Sequence, residues 1–584
     1  MLARFGAARS RLLGLLLSGC ASAPATPSAP PKPAQAGAPA DATSVPAAPS
    51  PTVRVKILGL NDFHGHLTTE LHDGRPLGGA AVLAAYLRGT AKIAPERTFI
   101  VHAGDFVGAS PPNAGLLQDE PAVAFLNALT DDRCTDARRA NECPVIGTLG
   151  NHEFDEGKQE LLRLVRGGNH VKGPFLENPW RGARYDMICA NVLDAATGAP
   201  LLRPYALRQV DGVAIAFIGA VLRDTPRILS PEAARGLTFT DEADAINAVV
   251  RELAPRGVHA FVVQIHQGDE QPRYEGPTLP GAAPPAGALD AIVSRLDDDV
   301  DLVVSGHAHH FTNARIPTQN GKQVLVVQAL AYGVAFDDVD LLLERRSGDV
   351  IGSTATIVPA FADVGTGREP DASVAELVAR ADARVAPFVR EIVTTSAAEV
   401  TRTPTPAGES ALGDLVADAA RAAVRADFGL TNQGGLRASL PAGTVTRGDV
   451  LTAQPFGNRV LAVTLSGAAL TALLEQQWGA GQPPEGRILQ ISGFGYTWDA
   501  RAAIGSRIVE VHDAKRRRLE PKRSYRVAMS SFIAEGGDGF TLARALAPEH
   551  AAGGDPNDAD ALTAFLKSLP QPFVAKTDGR IVKR

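Results

Sequence analysis

Asp62 and His64 stand two residues apart, just after an apolar run from Val53 to Leu60. Both are metal-ligand types. In extended backbone, residues i and i+2 point the same way, so the spacing predicts a clip that reaches one ion. Three more clusters of the same chemistry follow: Gly104-Asp105, Gly150-Asn151-His152-Glu153-Phe154-Asp155 and Gly306-His307-Ala308-His309. A lone His266 lies between the last two. Taken singly, each has an ordinary explanation. Gly-Asp suits a turn, Asn151-His152 suits a helix cap, and an isolated histidine is more often structural than a ligand. Each cluster, however, follows a strand-like apolar run, and ligands in open α/β sheets collect at the carboxyl ends of strands. Together they point to one convergent site of carboxylate, amide and imidazole donors, suited to two-metal hydrolysis.

The elements that must position these residues are short Val/Ile-rich runs at 53–60, 98–103, 145–149, 187–192, 213–219, 259–265 and 301–305. Continuous apolar runs of this kind suit sheets covered on both faces. They alternate with helical patterns at 79–90, 119–129, 241–254 and 286–296. This alternation predicts an α/β layered domain over 53–359, closed by further strands within 322–357. A looser segment followed by an Ala-rich amphipathic helix, together 360–392, reads as a bridge. A second, mixed α/β domain is expected over 393–584, with a helix at 411–426 and strands near 428–431, 459–464, 494–498 and 525–530.

The chain's 584 residues exceed what one hydrophobic core serves. Its net charge of −6 gives no electrostatic footprint for polymeric DNA or RNA, and leaves room for a small anionic substrate. Residues 1–20 read as an export signal: Arg4, Arg9 and Arg11, then the short apolar core Leu12 to Leu17. The ending Leu17-Ser18-Gly19-Cys20 resembles a bacterial lipobox, so Cys20 is the expected lipidation site, anchoring the protein to the cell envelope. Residues 21–52 are rich in Ala, Pro and Ser and read as a disordered tether. Export favours a loop-closing disulfide between Cys134 and Cys143, and Cys189 reads as a buried, inert thiol.

In order, D-x-H, G-D, G-N-H-E-F-D, a lone His and G-H-x-H resemble the calcineurin-like metallophosphoesterases. With a second domain following, the chain resembles the bacterial 5′-nucleotidase and UDP-sugar hydrolase family from about 53 to 584. The resemblance implies two divalent ions (Zn²⁺, Mn²⁺ or Co²⁺ by donor type). One would be held by Asp62, His64, Asp105 and His309, the other by Asp105, Asn151, His266 and His307. The family often carries Gln or Asn where His309 stands, a departure that bears on metal preference. With Asn151 as ligand, His152 is free to stabilise the transferring phosphoryl group or protonate the leaving oxygen, held by Asp155. A water activated by the ions would attack phosphorus in line.

In the second domain, Asn432-Gln433-Gly434-Gly435-Leu436-Arg437, Gln454-Pro455-Phe456-Gly457-Asn458 and Phe532 to Phe540 each read alone as turns. In order, they resemble the family's nucleotide-binding segments, with Gln433 in place of a usual glycine. That implies stacking of a nucleobase between Phe456 and Phe532. Asn432 would contact the base edge, Asp538 the ribose hydroxyls and Arg437 the phosphate, with Gly434 and Gly435 allowing close backbone approach. Arg402 has no assigned role. The implied function is release of phosphate from nucleoside 5′-monophosphates, and from UDP-sugars, with domain closure about 360–392. The rival readings are a 2′,3′-cyclic-nucleotide phosphodiesterase with 3′-nucleotidase activity, and a non-catalytic nucleotide-binding surface lipoprotein.

Overall fold

The computed structural model describes residues 50–584, apart from Asp73, Ala480 and residues 551–553. The expected leader with Cys20, and the expected tether up to residue 49, lie outside the described residues. Residues from Ser50 to Arg584 form one compact unit.

Two six-stranded sheets build the N-terminal half. The strands are β1 (Thr52–Leu60), β2 (Thr98–His102), β3 (Val145–Thr148), β4 (Asp186–Ile188), β5 (Tyr205–Val210), β6 (Val213–Val221), β7 (Phe261–His266), β8 (Val300–Ser305), β9 (Phe311–Pro317), β10 (Gln323–Ala329), β11 (Ala335–Glu344) and β12 (Val350–Pro359). The first sheet runs β12-β11-β1-β2-β3-β4 and the second β9-β10-β8-β7-β6-β5. β1 through β4 are parallel neighbours, as are β6, β7, β8 and β10. Parallel pairing needs crossovers, and helices supply several of them. Val55, Ile57, Phe99 and Val101 of the first sheet share a core with Phe217, Val262, Leu302 and Val304 of the second. Helices α1 (Ala80–Ala91), α2 (Glu120–Ala128) and α3 (Gly157–Arg166) pack within the core of the first sheet's other face. Helices α4 (Glu242–Leu253) and α5 (Ala288–Val293) do the same for the second. The central parallel strands are therefore covered on both faces, which is why β2, β3, β7 and β8 are buried along their whole length. Phe217 is fully buried between the sheets; its truncation to Ala would cost about 3–5 kcal/mol.

The run expected as one strand over 187–192 divides. Asn191 donates to the Val221 carbonyl at 2.6 Å and accepts the Val221 N–H at 2.9 Å. These bonds to the second sheet turn the chain out of β4. Cys134 and Cys143 are joined by a disulfide, and Cys189 is a buried thiol whose pKa burial pushes up to about 12.

Helix α6 (Ala372–Val389) starts where Asp371 accepts the N–H groups of Ser373 and Val374, each at 3.1 Å. Its buried stripe, Val374, Leu377, Ala381 and Val385, joins the core that holds α1 and α2. It also packs against the helix Arg447–Ala453 of the C-terminal half. In that half, a four-stranded sheet has the order Val460–Ser466, Ser524–Ser530, Phe428–Thr431, Gln490–Ser492. Helix α7 (Ala411–Ala423) packs on it, capped by Ser410, which accepts the Gly413 N–H at 3.1 Å. Among the described residues no helix is long and apolar enough to cross a membrane.

Candidate metal centre and substrate cavity

Asp62, Asp105, Asn151 and His307 each follow the carboxyl end of a strand within three residues, and His266 is the last residue of β7. The two sheets thus deliver their chemistry to one edge. Ligand atoms of Asp62, His64 and His309 lie within 4.8 Å of one another, as do those of Asp105, His266 and His307. His64 Nε2 is 3.2 Å from His309 Nε2 and 3.7 Å from Asp105 Oδ2. His309 Nε2 is 3.3 Å from Asp62 Oδ1, and His266 Nε2 is 3.0 Å from Asp105 Oδ2. Asn151 Oδ1 completes the second group, 3.2 Å from His266 Nε2 and 3.0 Å from His307 Nδ1. Asp105 stands between the two groups. All seven residues named as ligands from the sequence are brought together.

Asp62 and His64 reach the cluster by a different backbone from the one their spacing implies. They do not lie in extended backbone: both have φ of 47°, past the end of β1. Asp105, His307 and His309 are left-handed too, at 47°, 72° and 59°. Non-glycine residues rarely hold this conformation, and such strain persists only where surroundings impose it. Here they do. Backbone N–H groups of Asp62 and His64 donate to Gly104 and Asp105 carbonyls at 3.2 and 3.0 Å. The His307 N–H donates to both Asp62 carboxylate oxygens at 2.9 Å.

The donor set fits divalent cations. His64 Nδ1 bonds the Gly108 carbonyl at 2.8 Å, and His266 Nδ1 bonds the Ala103 carbonyl at 2.7 Å. Each Nδ1 must therefore carry hydrogen, which leaves Nε2 of a neutral ring as a lone pair aimed at the cluster. Burial lowers the pKa of His64 well below its ordinary value, and burial with His266 pushes His307 down to about 3. Burial works against charge on His266 as well, but Asp105 and Asp62 outweigh it and push its pKa up to about 9.

Two further residues hold the cluster, and sequence reasoning missed both. The Glu153 carboxylate accepts the N–H groups of Asp105, Phe106 and Gly150 at 2.9, 2.8 and 2.5 Å. It ties the loop after β2 to the loop after β3. Burial and Asp105 push its pKa up to about 7. Asn61 donates to Asp62 Oδ2 at 2.7 Å and accepts the Ala329 N–H at 3.0 Å. The signal for Glu153 was its place in a buried motif; Asn61 offered none beyond adjacency to Asp62.

His152 Nδ1 lies 2.7 Å from Asp155 Oδ2, which directs Nε2 elsewhere. Burial lowers the His152 pKa, but Asp155 and Asp105 outweigh it and the net shift is upward. The His152 ring stacks on Phe456 of the C-terminal half, centroids 5.8 Å apart and planes 22° apart. Both line a cavity of about 360 Å³, together with Asn151, Asp155 and His307 from the N-terminal half. Asn432, Gly434, Gly435, Arg437, Phe532 and Asp538 line it from the other side. Arg437 makes no ion pair among the described residues, although it lies close enough to oppose charge on His64 and His152. Asn432 Nδ2 donates to Asp538 Oδ2 at 2.8 Å, so these two expected substrate contacts hold each other.

Arg402 does have a place. Its Nη1 donates to the Leu436 and Arg437 carbonyls at 2.9 and 2.6 Å, bracing the loop that carries Arg437. Arg487, also missed, lines the cavity with its Nε 3.7 Å from Asp538 Oδ1.

Residues 55–311 match the model of the calcineurin-like phosphoesterases, and residues 391–545 that of the 5′-nucleotidase C-terminal domain. Endonuclease YhcR of Bacillus subtilis is 32% identical over 542 residues, covering 91% of this chain and 41% of that protein. Cell wall protein Lmo0130 of Listeria monocytogenes is 32% identical over 537 residues, covering 84% of this chain and 64% of that protein. The chain thus spans less than two thirds of either relative. The crystal structure of a 5′-nucleotidase precursor from Thermus thermophilus superposes with a TM-score of 0.73 at 26% identity, covering 91% of this chain and 99% of that one. The chain belongs to the family that joins a calcineurin-like phosphoesterase domain to a 5′-nucleotidase C-terminal domain.

Proposed function

We propose that the protein is a metal-dependent phosphohydrolase that releases phosphate from nucleoside 5′-monophosphates. The observation that carries this reading is the shared cavity, in which His152 of the ligand edge lies stacked on Phe456 of the other half. A nucleotide has a charged end and a flat aromatic end, and the cavity offers a matching wall for each.

Asp62, His64, Asp105 and His309 would hold one divalent ion, and Asp105, Asn151, His266 and His307 the other. Bound there, the pair supplies Lewis acidity toward phosphoryl oxygens and a nucleophilic water. The protein's own groups do the rest. Arg437 binds and orients the phosphate, with a guanidinium otherwise unpaired. His152, steered by Asp155 and kept basic by its carboxylate neighbours, delivers a proton to the leaving 5′-oxygen. Phe456 and Phe532 stack on the base, and Asn432 and Asp538 exchange their mutual bond for bonds to the base edge and ribose. Helix α6 and the segment before it are the proposed hinge for entry and release.

A panel of 5′-AMP, 3′-AMP, 2′,3′-cyclic AMP and UDP-glucose, with Mn²⁺ or Zn²⁺, tests the reading. Fastest phosphate release from 5′-AMP is expected. Hydrolysis confined to the 3′ or cyclic substrates would sink it in favour of the cyclic phosphodiesterase, and turnover of none would favour the binding protein. We also propose export with lipid anchoring at Cys20, on the strength of the sequence from Leu17 to Cys20. Cys20→Ser should release the protein from the membrane fraction; unchanged fractionation contradicts the anchor.

A further inference from the structure

A second cleft, of about 640 Å³, opens beside β4, the last strand of the first sheet. Four arginines line it: Arg139, Arg166, Arg181 and Arg203. They come from a short helix at 139–142, the last residue of α3, and two loops. Only two carboxylates join them, Asp136 and Asp186.

Asp186 is already taken. It is buried, 2.8 Å from Arg208 and 2.5 Å from Arg203, with Arg139 at 3.9 Å. Asp136 is fully exposed and 3.8 Å from Arg139. Arg166 and Arg181 are exposed, and neither makes an ion pair or a side-chain hydrogen bond among the described residues. Positive charge thus converges on a concave surface without matching anions. Such a group repels itself unless an anion enters, and guanidinium forks suit phosphate oxygens pairwise. Beneath the arginines lies an apolar floor of Tyr185, Met187 and Leu201, only 4%, 9% and 8% exposed. The cleft is separate from the metal centre: α3 starts two residues after Asp155 and ends at Arg166, a length of about 15 Å.

We propose that this cleft is an anion-binding site for a ligand carrying two linked phosphate groups. Arg166 and Arg181 take its free oxygens, while Arg139 and Arg203, held by Asp186, supply a preset edge. Two sources present this chemistry. A nucleoside polyphosphate would also lay its base on the apolar floor, whereas an inorganic polyphosphate would use the arginines alone.

Calorimetric titration of the full-length, metal-loaded protein with methylenediphosphonate tests this, with α,β-methylene-ADP as a second arm. Two binding events are expected for the native chain, one at the metal centre and one in the cleft. Arg166→Ala/Arg181→Ala should weaken the second event by about tenfold or more and leave the first intact. Because both side chains are exposed, its melting temperature should match that of the native chain. Arg166→Gln and Arg181→Gln, made singly, should fall between the two. A tighter second event for the ADP analogue identifies a nucleotide ligand; equal affinity identifies an inorganic one. A single event in the native chain, or a second event that survives in the double variant, would overturn the proposal.

Discussion

The two walls of the substrate cavity are built differently. The ligand wall stands at the ends of strands, and five of its seven residues sit in left-handed backbone. Each such residue costs about 1–3 kcal/mol, so the wall depends on the packing and hydrogen bonds that enforce it. The opposite wall is made of loops and short helical turns: Phe456, Phe532, Arg437 and Asp538 are half-buried, and of these four only Asp538 is left-handed, at 54°. Reaction chemistry needs donors fixed within fractions of an ångström, whereas stacking on a base tolerates small displacement. The contrast therefore separates what the protein fixes from what it lets adjust.

The largest effects should come from breaking the fixed wall. Asp105→Asn weakens the one carboxylate placed between both ligand groups. Losing several kcal/mol of charge stabilisation should reduce phosphate release by about a thousandfold or more. Chelation should do the same to the native protein, reversibly on adding Mn²⁺ or Zn²⁺; activity that survives chelation would contradict the metal assignment.

Next comes His152→Ala, expected to lower kcat by about 10²–10⁴-fold, with metal content by atomic absorption unchanged. A variant that loses metal instead would make His152 a ligand. Glu153→Ala frees three N–H groups that pin the loops after β2 and β3. Metal affinity should fall about 10–100-fold, while KM at saturating metal stays near the native value. Equal metal affinity would show that Glu153 does not hold the wall.

A smaller effect lies away from both walls. The Asp414 carboxyl is pushed up to about 9, chiefly by burial and in spite of Arg580. A group protonated in the fold and ionised when unfolded destabilises the fold increasingly as pH rises. Its penalty is absent below the ordinary carboxylate range and grows until pH reaches about 9. Asp414→Asn should therefore raise the melting temperature by a few degrees at pH 8 and change it little at pH 4. A lower melting temperature at pH 8 would mean that the ionised form is being used.

The strands were legible because sheets covered on both faces leave continuous apolar runs rich in Val and Ile, as at Val213 to Gly219. Positions of the ligand residues followed, since each stands just past such a run. Their conformation was not legible: Asp62 and His64 adopt left-handed backbone with no glycine to signal it. Glu153, Asn61 and Arg402 were opaque for another reason. Each acts on backbone groups supplied by a distant part of the chain, as Arg402 does on the carbonyls of Leu436 and Arg437. The arginine cleft was hidden likewise, because residues 139, 166, 181 and 203 carry no common motif.

The central claim is that one site is made from both walls. It is tested most directly by comparing kcat/KM for AMP and for ribose 5-phosphate, in the native protein and in Phe456→Ala. Stacking is worth about 1–3 kcal/mol per base, so the native protein should favour AMP by about 5- to 150-fold, and Phe456→Ala should lose most of that preference. Equal rates for the two substrates in the native protein, or a preference untouched by the substitution, would contradict it.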